Sequence, residues 1–487
     1  MANKIKSVKF NFIMNFILTL SSIIFPLITF PYVSRILLPS GIGRIGFVTS
    51  IVAYFSMFGM LGIANYGIRE CARVRDDEEK LSKTVKEIFL LNTVAMTLST
   101  ACYVVAIFTV PRLATDKTLF LINTLTLIFT LLGVEWVYKA LEQYQFITIR
   151  SLVFKVLSLI LMFVFVKQES DVITYGTITV LAAVGSNLLN FLNLKRVVTF
   201  HKHSSLDIKR HIKPTLSFFF LTVATVIYTN LDVVMLGFIH GNEAVGYYNA
   251  AVKIKSVLVT LVTSLGAVLL PRLSFYIENN NTAEFTRLTA KSLNFIMLSA
   301  LPMTIYFIFY AQPGILFLSG AGYDPAVFPM MILMPTLVFI GLSNLIGIQI
   351  MVPMGKEQLL VRSVCYGAIT DLIVNILLVP SMGVVGSAIG NLAAEFVVVC
   401  YQWFAVRHTM KAVVDKNNVM KILASVVLSS LLFIVPIKFG SPFITLLLSA
   451  SVYFGVFFGM LLLFKESFTH EVIGKLLKRK RGDNHEG

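Results

Sequence analysis

The sequence predicts an all-α, polytopic membrane protein, and three observations carry that reading. In a window of about 19 residues the chain resolves into about fourteen apolar stretches, each long enough to cross a bilayer. Hydrophobic residues make up 56% of it and charged residues only 14%, with a mean hydropathy of +0.81. The polar connections are too short to fold as soluble domains, so nearly all of the chain belongs in lipid.

The stretches cover residues 10–36, 44–67, 85–110, 118–138, 149–167, 172–194, 215–238, 246–270, 289–312, 327–353, 361–380, 386–407, 420–436 and 443–464. Each is a continuous run rich in Phe, Leu, Ile and Gly, which reads as helix. Barrel strands would be about ten residues long and would alternate. The first stretch runs on through Pro26 and Pro31 without an A-x-A site, so it is read as a span and not as a cleaved signal.

Orientation follows from Lys and Arg. With a cytoplasmic N-terminus, the inner connections hold about 32 of the 41 basic residues, a strong positive-inside bias. Both termini are therefore expected in the cytoplasm. The net charge of +16 is then mostly topology and calls for no nucleic acid. The basic run from Lys475 to Arg481 is expected to sit on anionic lipid headgroups. Cys102, Cys365 and Cys400 fall within spans and Cys71 in an inner connection, so free thiols are expected rather than a disulfide framework.

The chain repeats itself faintly. Leu61-Gly62 followed by Arg69 matches Leu265-Gly266 followed by Arg272, and turn glycines Gly43 and Gly176 match Gly246 and Gly386. Two pseudo-symmetric six-helix lobes of parallel topology are expected, residues 1–194 and 215–407, joined by a basic linker at 195–214. Two appended helices fall within 408–464, and a basic tail covers 465–487. Such lobes would enclose a cavity and suit alternating access by rocking. The plain alternative is two unrelated bundles that share turn residues, since turn chemistry favours Gly anyway.

An ionisable side chain facing lipid costs about 2.5 to 3.5 kcal/mol, so such residues face protein or water and find partners. Within the spans they are Glu135, Lys155, Asp232, Lys253, Lys255, Asp371 and Glu395. Depth makes Glu135 a partner for Lys155, or for Lys139 one turn on; a structural ion pair is the favoured role for Glu135. Asp232 and Lys253 lie at matching depth and are expected to pair. Lys255 is about 200° around the helix from Lys253, which makes it the better anion-site candidate.

Asp371 and Asn375 share a face, and Glu395 lies at similar depth on the next span. This set could hold Na+, could carry a proton, or could be a neutral acid locking two helices. Arg35, Arg69 and Arg272 end spans, where snorkelling to headgroups is the plain reading. Together with Lys155 and Lys255 they would give a cavity a positive lining. Asn187, Asn190 and Asn193 recur at i+3 and are expected to join helices. No Walker loop, nucleotide-binding glycine pattern or metal-spaced histidine pair is present, and His201 and His203 lie in a basic loop. The chain is not expected to be an enzyme. It is expected to need no cofactor beyond a coupling Na+ or H+.

Pro31-Tyr32-Val33-Ser34-Arg35 followed by Leu38-Pro39-Ser40-Gly41-Ile42-Gly43 resembles the opening of the polysaccharide transporter family, the flippases of O-antigen and capsular repeat units. Tyr66-Gly67-Ile68-Arg69-Glu70, Glu135-Trp136, Leu141-Glu142, Ile149-Arg150, Asp232 through Gly237, Gly246-Tyr247-Tyr248 and Lys253 extend it. The resemblance is densest in the first 270 residues. It implies two six-helix lobes around a V-shaped cavity, and transport driven by an ion gradient rather than ATP. It implies as substrate an undecaprenyl-pyrophosphate-linked oligosaccharide, turned from the inner to the outer leaflet. Membrane lipids, a polysaccharide polymerase and a chain-length regulator would be its partners.

A cation site on the second lobe would map onto Asp232, Asp371, Asn375 and Glu395. The anion-binding set would be Arg35, Arg69, Lys155, Lys253, Lys255 and Arg272. Such proteins usually carry Leu-Gly-Pro after the first span where this chain has Leu37-Leu38-Pro39, which is expected to alter turn detail and not activity. The alternatives are a lipid II flippase or a multidrug or cation antiporter of the same superfamily. A membrane-embedded polymerase is more distant, since it would carry a long outer loop or clustered catalytic acids.

Overall fold

The computed structural model describes residues 8–199, 205–434 and 440–470. His201, His203, Lys438 and the basic run 475–481 lie outside the described residues. Among those described, every regular element is helical: α1 (Val8–Met60), α2 (Ile63–Arg73), α3 (Glu78–Thr109), α4 (Pro111–Ala114), α5 (Lys117–Gly133), α6 (Glu135–Ala140), α7 (Tyr144–Phe165), α8 (Val172–Val180), α9 (Asn187–Val197), α10 (Lys209–Ile239) and α11 (Asn242–Glu278) come first. They are followed by α12 (Thr282–Phe309), α13 (Ala311–Ser319), α14 (Val327–Leu333), α15 (Thr336–Ser343), α16 (Glu357–Met382), α17 (Val384–Ala405), α18 (Arg407–Val413), α19 (Lys416–Ser430) and α20 (Pro442–Leu463). Leu181–Gly185 and Asn344–Met351 are π-helical.

Among the described residues, 12 helices are long and apolar enough to cross a membrane, and 13 if the pair Asp324–Leu333 and Thr336–Met351, bent by 41°, is one crossing. Ile13–Arg73, at 61 residues, would be about 90 Å long if straight, three times the hydrocarbon thickness of about 30 Å. It breaks at Leu38 (φ 57, ψ 177). Counted as two crossings, it brings the total to the fourteen read from the sequence.

The chain packs as two compact units, one ending at Asn249 and the other beginning at Ala250. In the first, α1 packs on α3, α5, α7 and α10. A core of Tyr66, Trp136, Val137, Tyr138, Ile147 and Leu194 joins α2, α6, α7 and α9. Gly67 lies flat against the Trp136 ring, where any larger residue would collide. The two turn glycines matched by the internal repeat lie against each other's segments. A side chain at Gly43 would overlap the Asn242 carbonyl, and one at Gly246 would overlap the Pro39 carbonyl. Asp77 caps α3 by accepting from the Lys80 amide at 3.0 Å, as a residue at that position does.

In the second unit α16 and α17 form a tight hairpin through Gly383 (φ 53). Gly386 sits on the backbone of Leu378, and Gly390 sits on Asn375. Tyr306, Tyr310 and Tyr453, with Phe433 beside them, stack α12 on the last helices. Ile422, Val426, Phe457 and Leu461 pack α19 and α20 together.

Polarity is inverted relative to a water-soluble protein. Phe404, Phe220, Leu377 and Leu98 are among the most exposed side chains, while Asn92, Asn190, Asp371, Asn375 and Gln402 are fully buried. The buried groups work between helices: Asn190 donates to the Gly133 carbonyl at 2.5 Å and Asn92 to that of Gly59 at 2.9 Å. Gln402 donates to the Ser363 hydroxyl at 2.9 Å. With hydrocarbon outside, such bonds and close glycine contacts hold helices together where the hydrophobic effect cannot.

The break in α1 has an energetic consequence. At φ 57 and ψ 177 the backbone of Leu38 occupies a region essentially reserved for glycine, at a cost of about 1–3 kcal/mol. The missing glycine of the Leu-Gly-Pro pattern is therefore expressed as strain, and the turn is still made. Leu38→Gly is expected to stabilise the protein by about 1 kcal/mol, after the entropy that glycine returns to the unfolded chain. Thermal unfolding of the purified protein in detergent would show the higher midpoint.

Candidate functional site

The charged groups inside the helices fall into distinct settings. Lys155, on α7, donates to the hydroxyls of Ser21 at 2.8 Å and Ser22 at 2.9 Å on α1. Among the described residues no carboxylate lies within ion-pair distance of it. Glu135 reaches Arg150 at 2.6 Å and Lys139 at 3.2 Å, and not Lys155. The reason is rotational. Lys155 follows Arg150 by five residues, about 140° around the helix, so only one of them can face α6. Arg150 also donates to Ser186 at 2.5 Å and Asn187 at 3.1 Å, which joins α6, α7 and α9.

Arg69, four residues before the end of α2, lies over the rings of Tyr66 and Phe218, 5.7 and 5.0 Å from their centroids. It too has no carboxylate within ion-pair distance among the described residues. Arg35 is exposed and donates to the Pro31 carbonyl. Arg272 is exposed on α11, and Lys253 is half-buried on the same helix. Asp232 is buried and accepts from the Tyr248 hydroxyl.

Two networks escape the sequence reading. Glu87 is fully buried and accepts from Arg210 at 2.6 Å, from the Asp207 amide at 2.7 Å and from His211 at 2.9 Å. The other ring nitrogen of His211 meets the Tyr66 hydroxyl at 2.6 Å. Glu87 stands near a predicted span end, where an acid is unremarkable by sequence, and its partners lie more than 100 residues along the chain.

The second network joins three turns. Arg44 pairs with Asp116 at 2.6 Å and Arg112 with Asp116 at 3.6 Å. Arg112 also donates to the Gly237 carbonyl at 2.7 Å and the Asn242 side chain at 2.6 Å, and it covers the Phe47 ring at 4.5 Å. The only early signal was the pair of turn glycines, Gly43 and Gly246, beside it.

In the second unit a polar string crosses three helices. Asn375 donates to Asp371 Oδ1 at 2.9 Å and accepts from the Ser387 hydroxyl at 3.1 Å. One turn along α17, Asn391 accepts from the Lys255 ammonium at 2.8 Å, and Glu395 follows at the next turn of the same face. A hard cation such as Na+ needs several open oxygen ligands. Here the Asn375 and Asn391 carbonyl oxygens and Asp371 Oδ1 each accept a hydrogen bond. The string runs from Asp371 and Asn375 through Ser387 to Asn391, which carries Lys255.

The ion pairing makes a clean prediction. Glu135→Gln is expected to cost roughly 3 kcal/mol, because Arg150, 3% exposed, would be left buried without its acid. A double-mutant cycle with Lys155→Met should show coupling within about 0.5 kcal/mol. Denaturation of the purified variants measures both. Strong coupling between Glu135 and Lys155 would contradict the pairing described.

Comparison with known proteins agrees with this architecture. The chain is 25% identical over 393 residues to a putative O-antigen transporter of Escherichia coli strain K12, covering 80% of this chain and 94% of that one. It is 24% identical over 413 residues to a putative O-antigen transporter of Shigella dysenteriae, covering 82% and 100%. In fold it is similar to the lipid II flippase MurJ in an inward closed conformation, with a TM-score of 0.75 at 16% identity, over 95% of this chain and 100% of that one. It is also similar to an inward-facing multidrug resistance MATE family transporter, with a TM-score of 0.59 at 11% identity over 80% and 95%. Residues 8–277 match the polysaccharide biosynthesis protein family, and with more than half its length so matched the chain belongs to that family.

Proposed function

We propose that the protein is a flippase that carries undecaprenyl-pyrophosphate-linked oligosaccharide repeat units from the inner to the outer leaflet of the bacterial cytoplasmic membrane. There they would feed surface polysaccharide synthesis. The observation that carries the reading is Lys155: an ammonium within a predicted span, held by two serine hydroxyls and by no acid among the described residues. A cation kept inside a membrane without a fixed counter-ion costs several kcal/mol unless water or a mobile anion reaches it. A pyrophosphate head is such an anion. Arg69, stacked on two rings and with no carboxylate within ion-pair distance among the described residues, adds to the positive lining, and Arg35 lies on the same unit. The polysaccharide family assignment and the O-antigen transporter relatives favour a sugar-bearing lipid over a cationic drug.

In this reading the isoprenoid tail stays in lipid while the head passes through the protein. No covalent step is needed, so the chain acts as a carrier and not as an enzyme. Alternating access between two six-helix lobes, 1–194 and 215–407, would move the head, with both termini in the cytoplasm and an ion gradient as the drive. A polysaccharide polymerase and a chain-length regulator would receive the product.

The test uses the purified full chain in proteoliposomes with a labelled undecaprenyl-pyrophosphoryl oligosaccharide, and reads the fraction of head groups reached by an added periodate reagent. Lys155→Ala is expected to slow translocation about tenfold or more, the equivalent of one lost charge-assisted contact. Lys155→Arg should keep a substantial part of the rate. Unchanged rates in both Lys155→Ala and Arg69→Ala would overturn the reading. Equal or faster movement of lipid II would assign the chain to that substrate instead.

A further inference from the structure

The polar string of α11, α16 and α17 holds an amine where a cation site would otherwise be read. Asp371 and Asn375 are fully buried, and Asn391 and Glu395 nearly so. Gly390 lets α17 come this close, since a side chain there would press into the Asn375 amide and Asp371 Oδ1. Acids and amides on one hairpin are the donor set that takes a hard cation. Lys255 enters from α11, itself 9% exposed, and donates to Asn391 Oδ1 at 2.8 Å. An ammonium has three donors and no acceptor. It can therefore satisfy an oxygen ligand as a metal ion would, and its charge repels a second cation beside it. Two unit positive charges about 4 Å apart, at an effective dielectric near 20, repel strongly enough to weaken binding roughly a thousandfold.

We infer that Lys255 is the resident cation of this site: its tethered ammonium takes the position a sodium ion would take, and the protein does not bind Na+ there. The assignment moves Lys255 out of the anion-binding set and gives it a role in ion selectivity. The consequence for transport, a carrier that works without sodium, rests on the flippase reading above. The absence of sodium binding does not, and it is measured with no lipid substrate present.

The experiment follows the purified full chain by thermal unfolding and by 22Na+ binding, in NaCl against choline chloride at equal ionic strength. The wild type is expected to bind no 22Na+ at this site and to keep its midpoint within about 1 °C between the two salts. Lys255→Ala is expected to gain saturable Na+ binding and a Na+-dependent rise of about 2 °C or more, as for any ligand specific to the native state. That gain should be lost in the double variant Lys255→Ala, Asp371→Asn. Should Lys255→Ala not fold, Lys255→Gln replaces it. The wild-type measurement decides independently. Saturable 22Na+ binding by the wild type that Asp371→Asn abolishes would overturn the inference, as would a folded Lys255→Ala protein that stays indifferent to sodium.

Discussion

A charge inside a bilayer must be answered from within the protein, and the arrangement of this chain follows from how each one is answered. Lipid offers neither hydrogen bonds nor counter-ions, so helices exchange them with one another. Glu135 takes Arg150 and Lys139, and Glu87 takes Arg210 and His211. Lys255 takes Asn391. Each of these contacts fixes the rotation of at least two helices about their axes, because a helix turned by one residue would aim its charge into hydrocarbon. Lys155 differs from the acids in kind. Its charge is solvated by hydroxyls and met by no acid among the described residues.

The tight glycine contacts supply the second constraint. Gly43 and Gly246 allow the turn after the first crossing to lie directly on the start of α11, and the Arg44–Asp116–Arg112–Asn242 network closes over the same junction. Backbone proximity and charge pairing reinforce one another here. Without the glycines the arginine of α4 could not reach both the Gly237 carbonyl and the Asn242 side chain. Gly383, Gly386 and Gly390 do the equivalent for the α16–α17 hairpin, whose polar string depends on helices at close approach.

The fold class was legible because it rests on long apolar runs, a signal that survives any uncertainty about boundaries. Even the crossing number follows once α1 is seen to break at Leu38. Depth along a helix was legible too, and it placed Asp371, Asn375 and Glu395 on one hairpin. Rotation was not. Glu135 and Lys155 match in depth, but the turn between α6 and α7 brings Arg150 round to the acid. Partners from distant segments were hidden for a related reason: nothing in the sequence near Glu87 points to Arg210 or His211, and nothing near Lys255 points to Asn391. A local reading finds which residues are costly to bury and leaves open which of them meet.

The serines beneath Lys155 carry one more implication. Ser21 and Ser22 spend their own protons on the Leu18 carbonyl, at 2.7 and 3.0 Å, and lend only lone pairs to the ammonium. When the amine swings away, no donor is orphaned and no acid is stranded. The departure forfeits about one ordinary hydrogen bond per hydroxyl, far less than rupturing a desolvated salt bridge. Lys155 is parked rather than locked, and a visiting phosphate would find it ready to turn.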